Sequence, residues 1–132
     1  MYKLFGAALA TLLTVFAATA FAYPGDLVIM QGLDKVTARV STFEAPLGST
    51  VRFGTLAITV RQCDRTPPEE PPESSVLLDI VENRPDEQPV HLFHGWMFSS
   101  SPALSALEHP VYDVWVLECR RTADAEGAKK VQ

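Results

Sequence analysis

One segment near the carboxyl end of the chain collects the residue types that hydrolases use. The triplet Ser99–Ser101 is followed by His109 and Asp113, and a Ser-His-Asp triad requires the histidine to reach both partners. The chain contains no Gly-x-Ser-x-Gly elbow, however, and a serine run before Pro102 is typical of a helix start. A hydrolase that uses His109 and Asp113 is therefore kept only as the second alternative function.

Asp113 raises a separate question, because Val111 and Trp115 share its face of a predicted strand. A buried carboxylate has to be hydrogen-bonded or paired with a cation. We expect Asp113 to accept hydrogen bonds from backbone amides or from His109, which would lock the corner before this strand. No second carboxylate stands in a comparable setting, and this argues against a glycosidase, which needs two.

A second group of candidate residues lies in the segment "VHLFHGWMF". His91 and His94 are three residues apart, so they chelate a metal together only if a bulge turns them to one face. Gly95 is a candidate position for that bulge, but no third ligand is near in sequence, and we predict neither a metal nor a cofactor. Trp96 is either a core residue, as aromatic side chains in strands often are, or an exposed aromatic platform for a sugar or a partner protein.

The amino-terminal residues predict export. Lys3 precedes an uncharged apolar run, and a small-x-small cleavage site ends at Ala22, which is the pattern of a secretory signal peptide over residues 1–22. The alternative is an uncleaved inner-membrane anchor, because the apolar run approaches the length of a membrane span. After cleavage, residues 23–132 contain no further long apolar run, and we expect a soluble periplasmic protein.

The net charge of the mature chain restricts the classes of partner that it can bind. Without Lys3, ten basic and sixteen acidic residues remain, a net charge of −6. An acidic domain is a poor ligand for nucleic acid or for an anionic membrane surface. We therefore predict no nucleic-acid partner.

Cys63 and Cys119 are the only cysteines of the chain. Two cysteines in an exported domain, outside any Cys-x-x-Cys motif, favour a disulfide over a thiol nucleophile or a metal site. Closing a loop of about 57 residues stabilises a fold by roughly 4 kcal/mol in the chain-entropy model. That contribution is large beside a typical domain stability of about 5–15 kcal/mol.

A period of two residues dominates residues 23–121, which we interpret as one β-domain. Gly54 marks a bulge or tight bend within one of the strands. The segment 64–74, "DRTPPEEPPES", predicts an exposed proline- and glutamate-rich loop, and residues 122–132 predict a flexible tail. Strands are predicted over residues 26–32, 35–44, 51–63, 75–82, 90–98 and 111–119.

The segment "SSSPALSALEHP" is the only helical candidate. Ser101 is a suitable cap, Pro102 fits the first helical position and Pro110 stops the helix, while Leu104 and Leu107 would pack it on the sheet. The next strand, "VYDVWVLEC", is apolar on both faces and is therefore predicted to be central. Six or seven strands and one short helix make the fold class all-β, an antiparallel β-sandwich or a small barrel.

Four stretches carry a resemblance to a known family: "GLDKVTARVSTFEAPLG", "VRFGTLAITVRQC", "RTPPEEPPES" and "FHGWMFSSSPALSALEHPVYDVWVLEC". Together they resemble a family of small exported proteins of Gram-negative bacteria, the domain of unknown function numbered twenty-one fifty-five. The family has no established catalytic residues, so the resemblance implies no active site. It implies association with a cell-envelope assembly, because genes of the family often lie beside one for an accessory subunit of respiratory complex I.

Three functional hypotheses follow. The first is a non-enzymatic interaction or accessory module of an envelope or membrane-complex protein, and the alternative is a module that binds glycan or peptidoglycan. The second alternative is the hydrolase described above, although we predict no catalytic residue and no enzyme. The candidate binding surface comprises His94, Trp96, His109 and Asp113.

Overall fold

The computed structural model describes residues 23–102 and 106–122. The predicted signal peptide, the predicted tail beyond Thr122 and three residues of the predicted helix lie outside the described residues. Within the described part, nine strands form two antiparallel sheets. The strands are β1 Tyr23–Pro24, β2 Leu27–Asp34, β3 Arg39–Pro46, β4 Thr50–Phe53, β5 Leu56–Arg65, β6 Ser74–Glu82, β7 Val90–Phe98, β8 Leu107–Glu108 and β9 Tyr112–Arg120.

The two sheets pack face to face as a sandwich. The first sheet has the order β1-β5-β6-β7, and β4 pairs with β5 on the same side as β1. The second sheet has the order β3-β2-β9-β8. The all-β antiparallel prediction is confirmed, and of the two predicted architectures the chain adopts the sandwich. β9 lies between β2 and β8, so its predicted central position is also confirmed.

The core follows from the alternation of side chains along the strands. In β6, every second residue from Ser74 to Glu82 is buried, and the residues between them face outward. Fully buried aliphatic side chains of both sheets meet in one cluster, and each contributes about 1.5–3 kcal/mol by leaving water. The cluster includes Val28, Met30, Ile58, Val60, Val76, Leu78, Ile80, Val114 and Val116.

A disulfide joins Cys63 of β5 to Cys119 of β9. The pairing predicted from the sequence is confirmed, and the bond connects one sheet to the other. The two Cα atoms are 5.9 Å apart, within the usual range for a disulfide. The backbone amide of Cys119 also donates to the Ser74 hydroxyl at 2.9 Å, so this end of the sandwich is fixed by a covalent and a hydrogen bond.

The predicted strand 35–44 is wrong at its beginning. Residues 35–38 form the turn of a hairpin between β2 and β3, with Ala38 at a positive φ of 57°. The Asp34 carboxylate accepts the amides of Val36 and Thr37 at 2.9 and 3.2 Å, which is the local bonding of an Asx turn. Val36, Ala38 and the residues that follow alternate with polar residues as in a strand, which explains the wrong prediction. Val36, however, is largely exposed.

The described residues form nine strands rather than the predicted six or seven. Gly54, at a φ of 58°, forms a tight bend that divides the predicted strand 51–63 into the hairpin β4–β5; the predicted bend is confirmed. The strands β1 and β8 were not predicted, because a strand of two residues is too short to show a hydrophobic period. The proline- and glutamate-rich connection is shorter than predicted, since β5 runs to Arg65 and the buried Ser74 opens β6.

The predicted helix over residues 101–110 does not extend to Pro110. The Ala106 amide donates to the Pro102 carbonyl at 2.9 Å, a spacing of one helical turn, and residues 103–105 between them lie outside the described residues. Leu107 and Glu108 already form β8, which pairs with β9. Pro110 stops no helix: it lies in the two-residue connection of a hairpin.

Candidate functional site

His109 lies in the turn that joins β8 to β9. Its amide donates to the Tyr112 carbonyl at 3.1 Å, and the hairpin closes over Pro110 and Val111. The Val111 amide donates to His109 Nδ1 at 3.0 Å. Because Nδ1 accepts a hydrogen bond, the proton of the neutral ring is on Nε2. The side chain of His109 therefore caps its own turn and directs an N–H group into the sandwich.

The partner of that N–H group is Glu82, at the end of β6. His109 Nε2 lies 2.6 Å from Glu82 Oε2, and the two side chains are only 6% and 9% exposed. The same oxygen accepts the Thr55 hydroxyl at 3.2 Å, and Arg84 Nε lies 3.0 Å from Oε1. We call Thr55, Glu82, Arg84 and His109 the end cluster. It joins the first sheet to the β8–β9 turn of the second.

Asp113 does not contact His109, so the predicted bond between them is wrong. Lys35 Nζ lies 2.8 Å from Asp113 Oδ1 and donates to the His109 carbonyl at 2.8 Å. Asp113 thus fixes the β8–β9 corner through a lysine of the β2–β3 turn. Asp113 therefore stabilises the corner before β9, as predicted, but its partner is the ammonium group of Lys35 on another hairpin.

The serine triplet lies far from His109. Ser99 is opposite Ser74 at the start of β6, whereas Glu82, the partner of His109, ends the same strand. Eight residues of strand separate those ends by about 26 Å. The described geometry therefore does not assemble Ser99 and Ser100 with His109 and Asp113, and both ring nitrogens of His109 are already engaged.

The serines surround Glu73 instead. Its carboxylate accepts the Ser74 amide, the Ser99 hydroxyl and the Ser100 amide, each at 3.1 Å, and also the Ser100 hydroxyl. Partial burial raises the pKa of Glu73, but the hydrogen bonds from Ser100, Ser99 and Ser74 outweigh it and lower the pKa below the usual value. The ionised carboxylate ties the end of the proline-rich connection to the turn that follows β7.

The outward side chains of the first sheet form the second candidate site. Trp96 of β7 is opposite Leu77 of β6, which is opposite Gln62 of β5. Trp96 is 38% exposed, so the alternative of a core tryptophan is excluded for this residue. We call Gln62, Leu77, Asp79, His94 and Trp96 the aromatic face.

His94 and Asp79 lie in the next row of the aromatic face. His94 Nδ1 contacts Asp79 Oδ1, and Arg61 Nε contacts Oδ2 at 2.7 Å. The hydrogen bond from His94, reinforced by the one from Arg61, lowers the pKa of Asp79. This carboxylate is therefore ionised at neutral pH and shared between His94 and Arg61.

The bulge that brings His91 and His94 to one face lies at Leu92, not at the predicted Gly95. The register shifts between Ile80 and Val81, so that His91 is opposite Val81 and His94 is opposite Asp79. Both histidines therefore point outward. In the described ranges 23–102 and 106–122, however, no group of three or more His, Cys, Asp or Glu side chains is placed to hold a metal ion.

The predicted binding residues thus divide between two places. His94 and Trp96 share the aromatic face, His109 lies in the end cluster and Asp113 lies on the outer side of the second sheet. Sequence reasoning missed Glu82 and Lys35. Glu82 was visible as the acidic residue in phase with the buried positions of "SVLLDIVE". Lys35 carried no signal, because its turn was interpreted as strand.

The fold and these sites define a small disulfide-closed β-sandwich with a buried histidine–glutamate pair and an exposed aromatic face. A family model described as "Uncharacterized protein conserved in bacteria (DUF2155)" matches residues 28–119. The chain belongs to this family, as its resemblance predicted.

A relative supports the assignment. The uncharacterized protein RP359 of Rickettsia prowazekii (strain Madrid E) is 34% identical over 87 residues, which is 66% of this chain and 56% of that protein. The chain therefore matches only about half the length of this relative. No solved structure matches the chain. Of the described residues, none belongs to a helix long and apolar enough to cross a membrane.

Proposed function

We propose that this protein is an exported interaction module that binds a protein of the cell envelope through the aromatic face. The observation that carries the proposal is Trp96, which is 38% exposed on the outer side of a sheet. Tryptophan is enriched among the residues that dominate binding energy in protein interfaces. The aromatic face around it also carries the polar side chains of Gln62, Asp79 and His94, as expected at the rim of such an interface.

A periplasmic location is part of the proposal. The disulfide between Cys63 and Cys119 supports an oxidising compartment, and the predicted signal peptide supports export. The link to an envelope assembly, including one associated with respiratory complex I, rests on the family resemblance. A non-enzymatic role is favoured by the end cluster, whose His109 and Glu82 bond each other inside the sandwich.

Site-specific photo-crosslinking in intact cells tests the proposal. A photoreactive phenylalanine analogue replaces Gln62, in the same row as Trp96, or Thr42, a likewise exposed strand residue of the other sheet. We expect a defined protein adduct from position 62 and none from position 42. Trp96→Ala should lower the adduct yield at least about tenfold, as for an interface anchor. Equal adducts at both positions, or none, would refute the proposal.

The alternative of a glycan-binding module is favoured by one observation. The row of Trp96, Leu77 and Gln62 places an aromatic ring and an amide on one face, and sugar sites combine such groups. Retention on purified peptidoglycan sacculi tests it, with Trp96→Ala as the variant. Leu117→Ala is the matched control, because Leu117 is 40% exposed on the other sheet. Retention lost only in Trp96→Ala would favour the glycan.

A further inference from the structure

The four edges of the two sheets are unequal. β1 and β4 cover one side of β5, and both are short, as is β8. β3 is long, but it carries Arg39 and Glu44 and ends at Pro46, and charges and proline discourage pairing at a sheet edge. β7 has nine residues, "VHLFHGWMF", without Asp, Glu, Lys, Arg or Pro. In the part of the chain that the structure describes, β7 pairs only with β6.

The hydrogen bonds to β6 show which amides of β7 point to this edge. The Ser99 amide donates to the Ser74 carbonyl at 3.0 Å, so these two residues form a hydrogen-bonded pair. Antiparallel pairs alternate, which makes Met97 and Gly95 the next residues bonded to β6 in register. Trp96 lies between these two residues and His94 precedes Gly95, so the backbone groups of His94 and Trp96 point away from β6.

One contact supports this assignment. The Phe98 carbonyl accepts the Ser101 amide at 3.3 Å, so Phe98, which is in phase with His94 and Trp96, also directs its backbone away from β6. The bulge at Leu92 disturbs only the first half of the strand. The outward backbone groups of His94 and Trp96 therefore form the open part of this edge, and their side chains lie on the aromatic face.

The side chains beside this edge favour an acidic partner. His94 is 76% exposed and contacts Asp79 through Nδ1, which leaves Nε2 as the nitrogen directed toward a partner. Among the outward positions of β6 and β7, Asp79 is the only carboxylate, and it already lies between Arg61 and His94. The whole chain has a net charge of −5, so this region is depleted of acid on an acidic protein.

We propose that β7 binds an extended segment of the partner protein as an added antiparallel strand at residues 94–98. The segment carries an acidic side chain opposite His94 and an apolar one, two residues away on the same face, opposite Trp96. Its backbone bonds the outward amides and carbonyls of those two residues, as in other cases of strand addition. This inference rests on the proposed function and specifies how the partner binds.

A pair of substitutions at His94 distinguishes binding at the strand edge from binding on the aromatic face. His94→Ala and His94→Pro both remove the imidazole, but only the proline removes the outward amide and places its ring at the edge. The amide of residue 94 is not part of the β6 ladder, and proline is tolerated at such edge positions. Circular dichroism and urea unfolding of both variants check that the sandwich is retained.

The probe is the peptide acetyl-Thr-Val-Thr-Leu-Thr-Glu-Thr-Val-Thr-amide, and its control has Lys in place of Glu. Amide NMR titrations measure the dissociation constants. We expect the Glu peptide to bind the native protein at least about tenfold tighter than the Lys peptide, a difference of about 1.4 kcal/mol. His94→Ala should weaken binding several-fold, and His94→Pro should abolish it. Slower hydrogen exchange at the amides of His94 and Trp96 on binding gives a readout without any variant.

Several results would overturn the inference. Equal affinity of His94→Pro and His94→Ala would assign binding to the face without strand addition, and equal affinity for both peptides would remove the acidic requirement. No binding by either peptide at millimolar concentration, or dimerisation through β7, would also contradict it. Crosslinking from position 62 that persists in His94→Pro would leave the proposed function standing without this mode of binding, so the two failures are distinguishable.

Discussion

The buried pair of Glu82 and His109 provides a quantitative test of how the two sheets are joined. In Glu82→Leu, the N–H group of His109 and the hydroxyl of Thr55 lose their acceptor inside the protein, whereas Arg84, which is half exposed, can turn to water. Each buried unsatisfied donor costs about 1–3 kcal/mol. We therefore expect Glu82→Leu to lower the free energy of unfolding by about 3–5 kcal/mol, the usual cost of removing one member of a buried pair.

The size of the effect should follow the hydrogen-bonding capacity of the replacement. Glu82→Gln keeps one acceptor oxygen for the donors of His109 and Thr55 but loses the charge, so we expect a loss of about 1–2 kcal/mol. His109→Leu should cost about 3 kcal/mol, because it removes the cap of Val111 and the ring stacking with Tyr112 as well.

The double variant makes the test sharp. Replacing both members of a buried pair by apolar side chains avoids the orphaned polar group, so Glu82→Leu/His109→Leu should lose about 2–3 kcal/mol less than the two single losses together. Equilibrium urea unfolding of the oxidised protein measures the stability of the native protein, the two single variants and the double variant. The control is Glu87→Gln, in an exposed turn, which should change stability by less than about 0.5 kcal/mol. Additive single losses would refute the reasoning.

Three further predictions concern stability. Reduction of the Cys63–Cys119 bond should lower the free energy of unfolding by about 4 kcal/mol and the thermal midpoint by roughly 20 °C; calorimetry with and without reductant measures this, and an unchanged midpoint would contradict it. Gly32→Ala should cost about 1–3 kcal/mol, because a Cβ atom would lie 2.5 Å from Phe53 Cζ, and an unchanged urea midpoint would show that the ring yields. The hydrogen bonds that lower the pKa of Glu73 stabilise the folded protein at pH values above the unfolded pKa of 4.5, and this stabilisation is lost as the pH falls through the folded pKa. The native protein should therefore be more stable than Glu73→Gln at pH 7, and the difference should disappear on acidification. A difference independent of pH would argue against it.

The long strands were predictable because each has one buried face. In β6 the buried residues occupy every second position over the whole strand, and β7 was predicted with its observed bounds. The turn at residues 35–38 failed for a physical reason: Asp34 bonds two amides locally, and such bonds compete with the strand ladder. Apolar alternation carries no information about that competition.

The site was predictable only in part. An exposed Trp96 was one of two readings that the sequence left open, and the structure selects it. The bond between His109 and Glu82 was beyond sequence reasoning, because the two residues lie in different sheets and no local pattern joins them. Pro110 was misleading because the same residue suits the end of a helix and a two-residue turn; the pairing of Leu107 with Val114 decides for the turn.

Both inter-sheet ties lie outside β7. Cys63 is opposite Val76 near the start of β6, and Glu82 ends the same strand, so the disulfide and the end cluster hold β5 and β6 against the second sheet at both ends. Neither tie includes β7. A partner strand at residues 94–98 therefore adds to a sheet that is already fixed, and it need not disturb either tie.

Substitutions in the end cluster that leave the protein folded should accordingly change the free energy of unfolding while leaving the affinity for the Glu peptide unchanged. If Glu82→Gln altered that affinity as much as His94→Pro, the edge and the end cluster would have to be coupled, and the separation of binding from stability argued here would be wrong.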